Sequence, residues 1–211
     1  MLTQLKLNEF VETVASSSPA PGGGSCSSLA SSLGAGLAAM MCQLTIGKKA
    51  YQEFDESKRA KFEQTLATLQ NHSKELMDLI DKDTAAFNLI MDAFKMPKET
   101  DDEKARRSAA IQEATWEAIA TPYRMSELSV EALEILPLLI EMGNQNAISD
   151  LGVGVLLLQA GLKGANMNVK INLGSVKDAE RASQTLAQIN AFEKKADELA
   201  AALLTQINSK L

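Results

Sequence analysis

Histidine occurs once in this chain, at position 72, and cysteine twice, at 26 and 42. With a single histidine, neither a Cys/His zinc site nor a Ser-His-Asp or Cys-His catalytic unit can be assembled within one chain, so no metal centre is expected. The two cysteines fall 16 positions apart on one expected helix, roughly 24 Å at 1.5 Å per residue, which excludes a bridge and leaves two reduced, buried thiols. Basic residues are in deficit. The balance of 21 Lys plus Arg against 27 Asp plus Glu gives a net charge of −6, without the concentrated cationic face that nucleic-acid binding needs. An apolar leader is missing as well, because Lys6, Glu9 and Glu12 interrupt the first turns. The most apolar run, Leu29 to Ile46, carries serines in its first half and Gln43 in its second, which suits a buried helix better than a membrane span. These absences describe a cytoplasmic protein with no nucleic-acid or membrane partner, whose chemistry rests on carboxylates, amides, lysines or backbone.

Two phosphate motifs fail on spacing. Gly47-Lys48 has no glycine five positions before it and is followed by Lys49, so it is not a P-loop. The run Pro21-Gly22-Gly23-Gly24-Ser25 follows a helix rather than a strand, so it is not a dinucleotide fingerprint.

What is present is helical periodicity throughout, and the length and 45% hydrophobic fraction suit one domain over residues 1–211. The expected architecture is all-α: a single-domain bundle of long, closely packed helices, dimeric through its surplus of apolar surface. Leu7, Phe10, Val11 and Val14 give a first apolar face. A second helix, about 25–46, carries small residues at spacing four, Ser28, Ser32, Gly36 and Ala30, Gly34, Ala38, which lets a neighbouring helix approach closely. A third, about 57–94, has near-heptad rows: Phe62, Leu69, Leu76, Asp83, Ile90 beside Leu66, Ser73, Ile80, Phe87, Phe94. Thr100 opens a fourth helix with a capping box, and Thr121-Pro122 is expected to stop it and start a fifth, kinked at Pro137. An apolar helix over about 151–164 precedes Asn166, Asn168 and Asn172, and a last amphipathic helix starts near Val176.

Three features carry the chemistry. Pro19-Ala20-Pro21-Gly22-Gly23-Gly24-Ser25 brings bare main chain to a helix N-terminus, where N–H groups can meet an anion or a planar ring. Asp83 occupies a slot where leucine or isoleucine would fit, and a carboxylate buried there must be hydrogen-bonded, paired or functional. Buried placement raises a carboxyl pKa into the range of acid-base catalysis, with a structural salt bridge as the alternative. Asp81 points elsewhere, into solvent, and His72 sits on the flank of the stripe as a boundary residue. The amides Asn144, Asn146, Asn166, Asn168 and Asn172 lie among apolar neighbours and suggest a polar pocket, or helix caps and buried networks.

Taken in order, the proline-glycine loop, Leu44-Thr45-Ile46-Gly47-Lys48-Lys49-Ala50-Tyr51, Asp83 in Asp-Lys-Asp-Thr-Ala-Ala-Phe, Asn144-Gln145-Asn146 with Ser149-Asp150, and Asn168-Val169-Lys170-Ile171-Asn172-Leu173 resemble the cyclodeaminase domain of the formiminotransferase-cyclodeaminase family. The resemblance spans nearly the whole chain, without the α/β formiminotransferase half. It implies a folate one-carbon enzyme of histidine degradation, a homodimer with sites near the subunit interface, using reduced and polyglutamylated folates and no cofactor beyond the folate substrate. Such enzymes close 5-formimino-tetrahydrofolate to 5,10-methenyl-tetrahydrofolate with loss of ammonia, a lyase reaction, or hydrolyse the methenyl form. Asp83 is then the catalytic acid-base. Pro21, Gly22, Gly23, Gly24 and Ser25 meet the pterin or a carboxylate, and Asn144, Asn146, Asp150, Asn168 and Asn172 meet the heterocycle. Lys48 and Lys49, near Tyr51, meet the glutamate tail, although Ala50 stands where relatives often carry a third basic residue. A non-catalytic helical dimerisation or adaptor protein is the competing reading.

Overall fold

The computed structural model describes residues 1–211 and contains eight α-helices, two 3-10 turns and no strand. In chain order the helices are α1 (Leu7–Val14), α2 (Gly23–Thr45), α3 (Lys49–Gln52), α4 (Glu56–Lys95), α5 (Asp101–Ile135), α6 (Pro137–Met142), α7 (Ile148–Leu173) and α8 (Ala179–Asn208). The short turns are Leu2–Gln4 and Gln145–Ala147. The all-α expectation holds.

Helix α2 lies at the centre, packed along α4 on one side and α7 on the other, while α5 joins α4 to α7 and α8 closes over α5 and α7. The small-residue rows explain this placement. A Cβ on Gly34 would lie 2.7 Å from Gly154 O, and one on Gly154 would lie 3.0 Å from Gly34 O, so the two backbones touch without side chains between them. Toward α4 the serines do more than save space. Ser28 Oγ donates to Leu76 O at 2.5 Å and Ser32 Oγ to Ser73 O at 2.9 Å, satisfying hydroxyls that would be costly to bury alone. Around this spine Met41, Phe62, Leu69, Leu133, Leu136, Leu151 and Leu158 are fully buried in one cluster.

Gly34→Ala tests the contact. Alanine adds about 1 kcal/mol of helix propensity, but overpacking against main chain that has nowhere to retreat costs about 3 kcal/mol, a net loss of about 2 kcal/mol. Urea unfolding should show a lower midpoint, and an unchanged midpoint would mean the helices can separate freely.

Several expected boundaries shift. The helix expected to stop at Thr121-Pro122 continues, so that α5 runs through Pro122 as one rod. Proline removes the N–H that Ala118 O would accept in the next turn. Asn172 Nδ2 supplies the replacement, donating to Ala118 O at 3.1 Å. At Pro137 the chain does not kink but breaks at Leu136, with Pro137 at the first position of α6. The helix expected to end near Gly164 extends to Leu173, because its asparagines are tied sideways rather than back to their own turn starts. Asn166, fully buried, accepts from Ser126 Oγ at 2.8 Å and donates to Ile189 O at 2.9 Å, which fastens α7 to both α5 and α8. The last helix begins at Ala179, capped by Asp178, rather than near Val176.

Asp81 also departs from expectation. It is not free in solvent but accepts from Leu2 N at 2.5 Å and Thr3 Oγ1 at 2.6 Å, which pins the N-terminal turn to α4. The first helix buries only Phe10, leaving Leu7, Val11 and Val14 exposed. Exposed apolar side chains also line the outward faces of α2 (Leu33, Met40, Leu44) and α7 (Val153, Leu156, Met167, Ile171). Two segments, Gly23–Thr45 and Gln145–Leu173, are long and apolar enough to cross a membrane, and both contribute buried faces to the bundle.

Candidate active site

Helix α4 reaches beyond the start of α2. Gly24 lies against Asp83, and the remaining 12 residues of α4, roughly 18 Å, extend past the last turn that α2 can cover. There the apolar row of α4 faces a cavity of about 480 Å³ instead of a partner helix. Its floor is the glycine turn, one wall is Asp83, Thr84, Phe87, Met91 and Phe94 of α4, and the other walls come from Thr115 and Ala118 of α5 and Asn168, Ile171 and Asn172 of α7.

The glycine turn arrives through Pro19 and Ala20, which line the cavity, and Pro21, which is buried behind it. Gly22 is the N-cap of α2, so Gly23 and Gly24 form its first turn. The first N–H groups of a helix have no partner inside it, and no side chain covers them here. Glycine at 24 is required by proximity. A Cβ there would overlap the Asp83 carboxylate, with Cγ at 2.6 Å and Oδ2 at 2.7 Å.

Asp83 has no cation beside it. Burial pushes its carboxyl up from the ordinary aspartate range, and only hydrogen bonds from Ser25 pull it back. The salt-bridge alternative is therefore not what the structure contains. Ser25, fully buried, places Oγ 2.9 Å from Asp83 Oδ2 and 3.1 Å from Ile80 O. A hydroxyl carries one proton, so this geometry serves both charge states. Ionised Asp83 accepts from Ser25, whereas protonated Asp83 donates to Ser25 while the serine turns its proton to Ile80 O. A carboxylate that is hydrogen-bonded either way can take up and release a proton without rearranging its surroundings. The charge of Asp83, after burial, also raises the Cys26 thiol pKa.

The two asparagines that reach the cavity are partly committed. Asn168 Nδ2 donates to Gly164 O at 2.8 Å, and Asn172 Nδ2 compensates Pro122, so each offers mainly its carbonyl oxygen to a ligand. Asn168 also packs against Gly23, where a Cβ would meet Nδ2 at 3.3 Å.

The remaining expected contacts are elsewhere. Lys48, Lys49, Tyr51, Asn144, Asn146 and Asp150 gather near the other end of α2, roughly 33 Å from the glycine turn along a 23-residue helix. Within one protomer they do not share a site with Asp83. Their local work is structural: Tyr51 Oη donates to Glu63 at 2.5 Å and its ring packs on Phe54 and Phe62. Asn144 fastens the end of α2, its N–H donating to Thr45 Oγ1 at 2.8 Å and its Nδ2 to Leu44 O at 3.3 Å, and caps the turn at Asn146. Lys48, Lys49 and Asn146 are exposed, and Asp150 stands in the first turn of α7.

His72 is also remote, 11 residues or roughly 16 Å before Asp83 on α4. Its Nε2 lies 3.3 Å from Glu131 in a network with Glu75, Arg124 and Glu127, and burial lowers its pKa. Sequence reasoning did not assign Thr84, Phe87, Met91, Phe94 and Thr115 to the site. The signal available was the apolar row of α4, which continues through Phe87 and Phe94 after α2 has ended.

The comparisons with known proteins agree with one another. The family model for formiminotransferase-cyclodeaminase matches residues 6–191. A methenyltetrahydrofolate cyclohydrolase from Methylorubrum extorquens is 36% identical over 205 residues, 97% of both chains. The formimidoyltransferase-cyclodeaminase of Rattus norvegicus is 33% identical over 209 residues, and this chain spans 38% of that protein's length. The crystal structure of a formiminotetrahydrofolate cyclodeaminase from Thermotoga maritima superposes with a TM-score of 0.78 at 26% identity, covering 100% of this chain and 98% of that one. The chain belongs to the formiminotransferase-cyclodeaminase family.

Proposed function

We propose that the protein converts 5-formimino-tetrahydrofolate to 5,10-methenyl-tetrahydrofolate with release of ammonia, using Asp83 as the proton-transfer group. The observation that carries this reading is the carboxyl itself: buried, hydrogen-bonded by Ser25, without a cation, and open to a cavity floored by bare helix N–H groups. Ring closure requires a base for the proton of the attacking aryl amine and an acid for the departing amine. A carboxyl whose pKa is raised by burial can be both in sequence. The glycine turn and the amide oxygens of Asn168 and Asn172 then orient the heterocycle, and Phe87, Met91 and Phe94 pack on its aryl portion. The folate is the only cofactor-like group that this scheme employs, and we assign the reaction to the cytoplasm.

A second reading has its own support, since the relative that matches end to end at 36% identity is a methenyltetrahydrofolate cyclohydrolase. In that reaction Asp83 would take its proton from water attacking the methenyl carbon. Ammonia release from the formimino substrate separates the two. Thermal stabilisation by a reduced folate separates either from a non-catalytic helical adaptor, which has no reason to respond.

We also propose that the protein works as a homodimer. The apolar outward faces of α2 and α7 are continuous enough to pair with a second copy. A two-fold axis across the middle of α2 would set Lys48, Asn144 and Asp150 of one copy near the Asp83 cavity of the other, joining the two groups that one protomer keeps apart. Light scattering should give twice the 22.7 kDa chain mass. A fully active monomer would remove the second copy from the site.

A further inference from the structure

Next to the Asp83 cavity, sharing Ile111 with it, a cleft of about 430 Å³ is lined by Lys98, Lys104, Arg107 and Lys177. On a chain of net charge −6, four cations around one opening reverse the local sign. Only Lys104 has a carboxylate partner, Asp101 at 3.0 Å. Arg107 instead donates Nε and Nη2 to Phe94 O at 3.2 and 3.1 Å and lies 5.6 Å from the centre of the Phe94 ring. Lys177 Nζ donates to Ser108 Oγ at 2.6 Å. Three cations are thus without a counter-charge, and their positive field faces the cleft.

The cleft is also mechanically joined to the cavity. Phe94, the residue under Arg107, is a cavity wall. Gln112 bridges the other side, donating Nε2 to Ser175 O at 2.9 Å and accepting from Lys177 N at 2.7 Å, and Ser175 again lines the cavity. One trough therefore runs from a titratable carboxyl, along phenylalanine and methionine, to a cluster of unpaired cations. A ligand that is a polar heterocycle at one end, aromatic in the middle and multiply anionic at the other end matches that order.

We propose that this cleft binds the carboxylates of the folate's glutamate tail and gives the protein a preference for polyglutamylated substrate; the proposal rests on the folate reading above. It moves the tail contact away from Lys48 and Lys49, which lie at the opposite end of α2. Each exposed pair is worth little alone, but three cations acting on several carboxylates add up, and their effect weakens with salt.

The test compares the dissociation constants of mono- and pentaglutamyl tetrahydrofolate for the wild type, for Lys98→Gln/Arg107→Gln/Lys177→Gln, and for Lys48→Gln/Lys49→Gln. The wild type should bind the pentaglutamate about ten-fold more tightly at low ionic strength, with the advantage shrinking as salt is added. The triple variant should bind both forms alike, and the Lys48/Lys49 variant should keep the preference. Because Arg107 packs on Phe94, Lys98→Gln/Lys177→Gln provides a second variant on exposed side chains alone and should lose part of the preference. A triple variant that keeps the preference, a preference that disappears with Lys48 and Lys49, or a wild type with no preference overturns the assignment of the cleft while leaving the folate reading intact. Failure of the wild type to bind either folate overturns that reading and this proposal together.

Discussion

Asp83→Asn is expected to fold, to bind reduced folate and to lose about 100-fold or more in turnover, the loss that removal of a general acid-base group brings. Asparagine keeps the shape of the side chain and its contact with Ser25, so the change is confined to the proton. The same variant carries an opposite expectation for stability. Burial raises the Asp83 pKa above that of the unfolded chain, so the folded protein holds this proton more tightly than the unfolded one. The stabilisation from that proton is complete below the unfolded carboxylate pKa, about 3.9, and is lost as pH rises through the folded value. At neutral pH the wild type therefore bears a buried charge that asparagine does not. The variant should be the more stable protein near pH 7, with its advantage narrowing as the pH is lowered through the carboxylate range. Denaturant unfolding at several pH values reads this directly. A variant that is less stable at neutral pH would mean that Asp83 has a charged partner in solution.

Gly24→Ala should approach the same loss by geometry rather than chemistry. The added methyl would overlap the Asp83 carboxylate, and α2 cannot back away because Ser28 and Ser32 hold it to the carbonyls of α4. The carboxylate must swing off Ser25 instead. A displacement of that size at a reacting group costs about 100-fold in rate. Because both substitutions act through one group, the double variant Gly24→Ala/Asp83→Asn should be no slower than Asp83→Asn alone. Turnover of the four proteins forms the cycle. Losses that multiply would show that Gly24 acts on the substrate independently of Asp83.

The helices and their tight centre were legible in the sequence because periodicity and small-residue spacing are local, repetitive signals. Phe62, Leu69 and Leu76 are buried where their row places them, and Gly34 meets another backbone as its spacing of four requires. Asp83 stood out for the same reason, as a break in an otherwise apolar row. The errors were of another kind. Pro122 reads as a helix stop because its missing N–H is local information, whereas the amide that compensates it, Asn172, is 50 residues away in sequence. Proximity in a family's motif order also failed to separate two ends of one helix: Lys48 and Asn144 are neighbours of each other, through Thr45, and not of Asp83. The cationic cleft was invisible for a third reason, since Lys98, Arg107 and Lys177 come from segments with ordinary charge patterns and form a patch only after α5 and the loop following α7 meet.

The central claim is that this cavity performs cyclodeamination through Asp83. Purified protein offered 5-formimino-tetrahydrofolate, with methenyl absorbance and free ammonia followed together, tests it most directly. The account predicts that both products appear in equal amounts with the wild type and at a rate lower by about 100-fold or more with Asp83→Asn. Hydrolysis of methenyl-tetrahydrofolate with no ammonia from the formimino substrate, or ammonia release undiminished in Asp83→Asn, would contradict it.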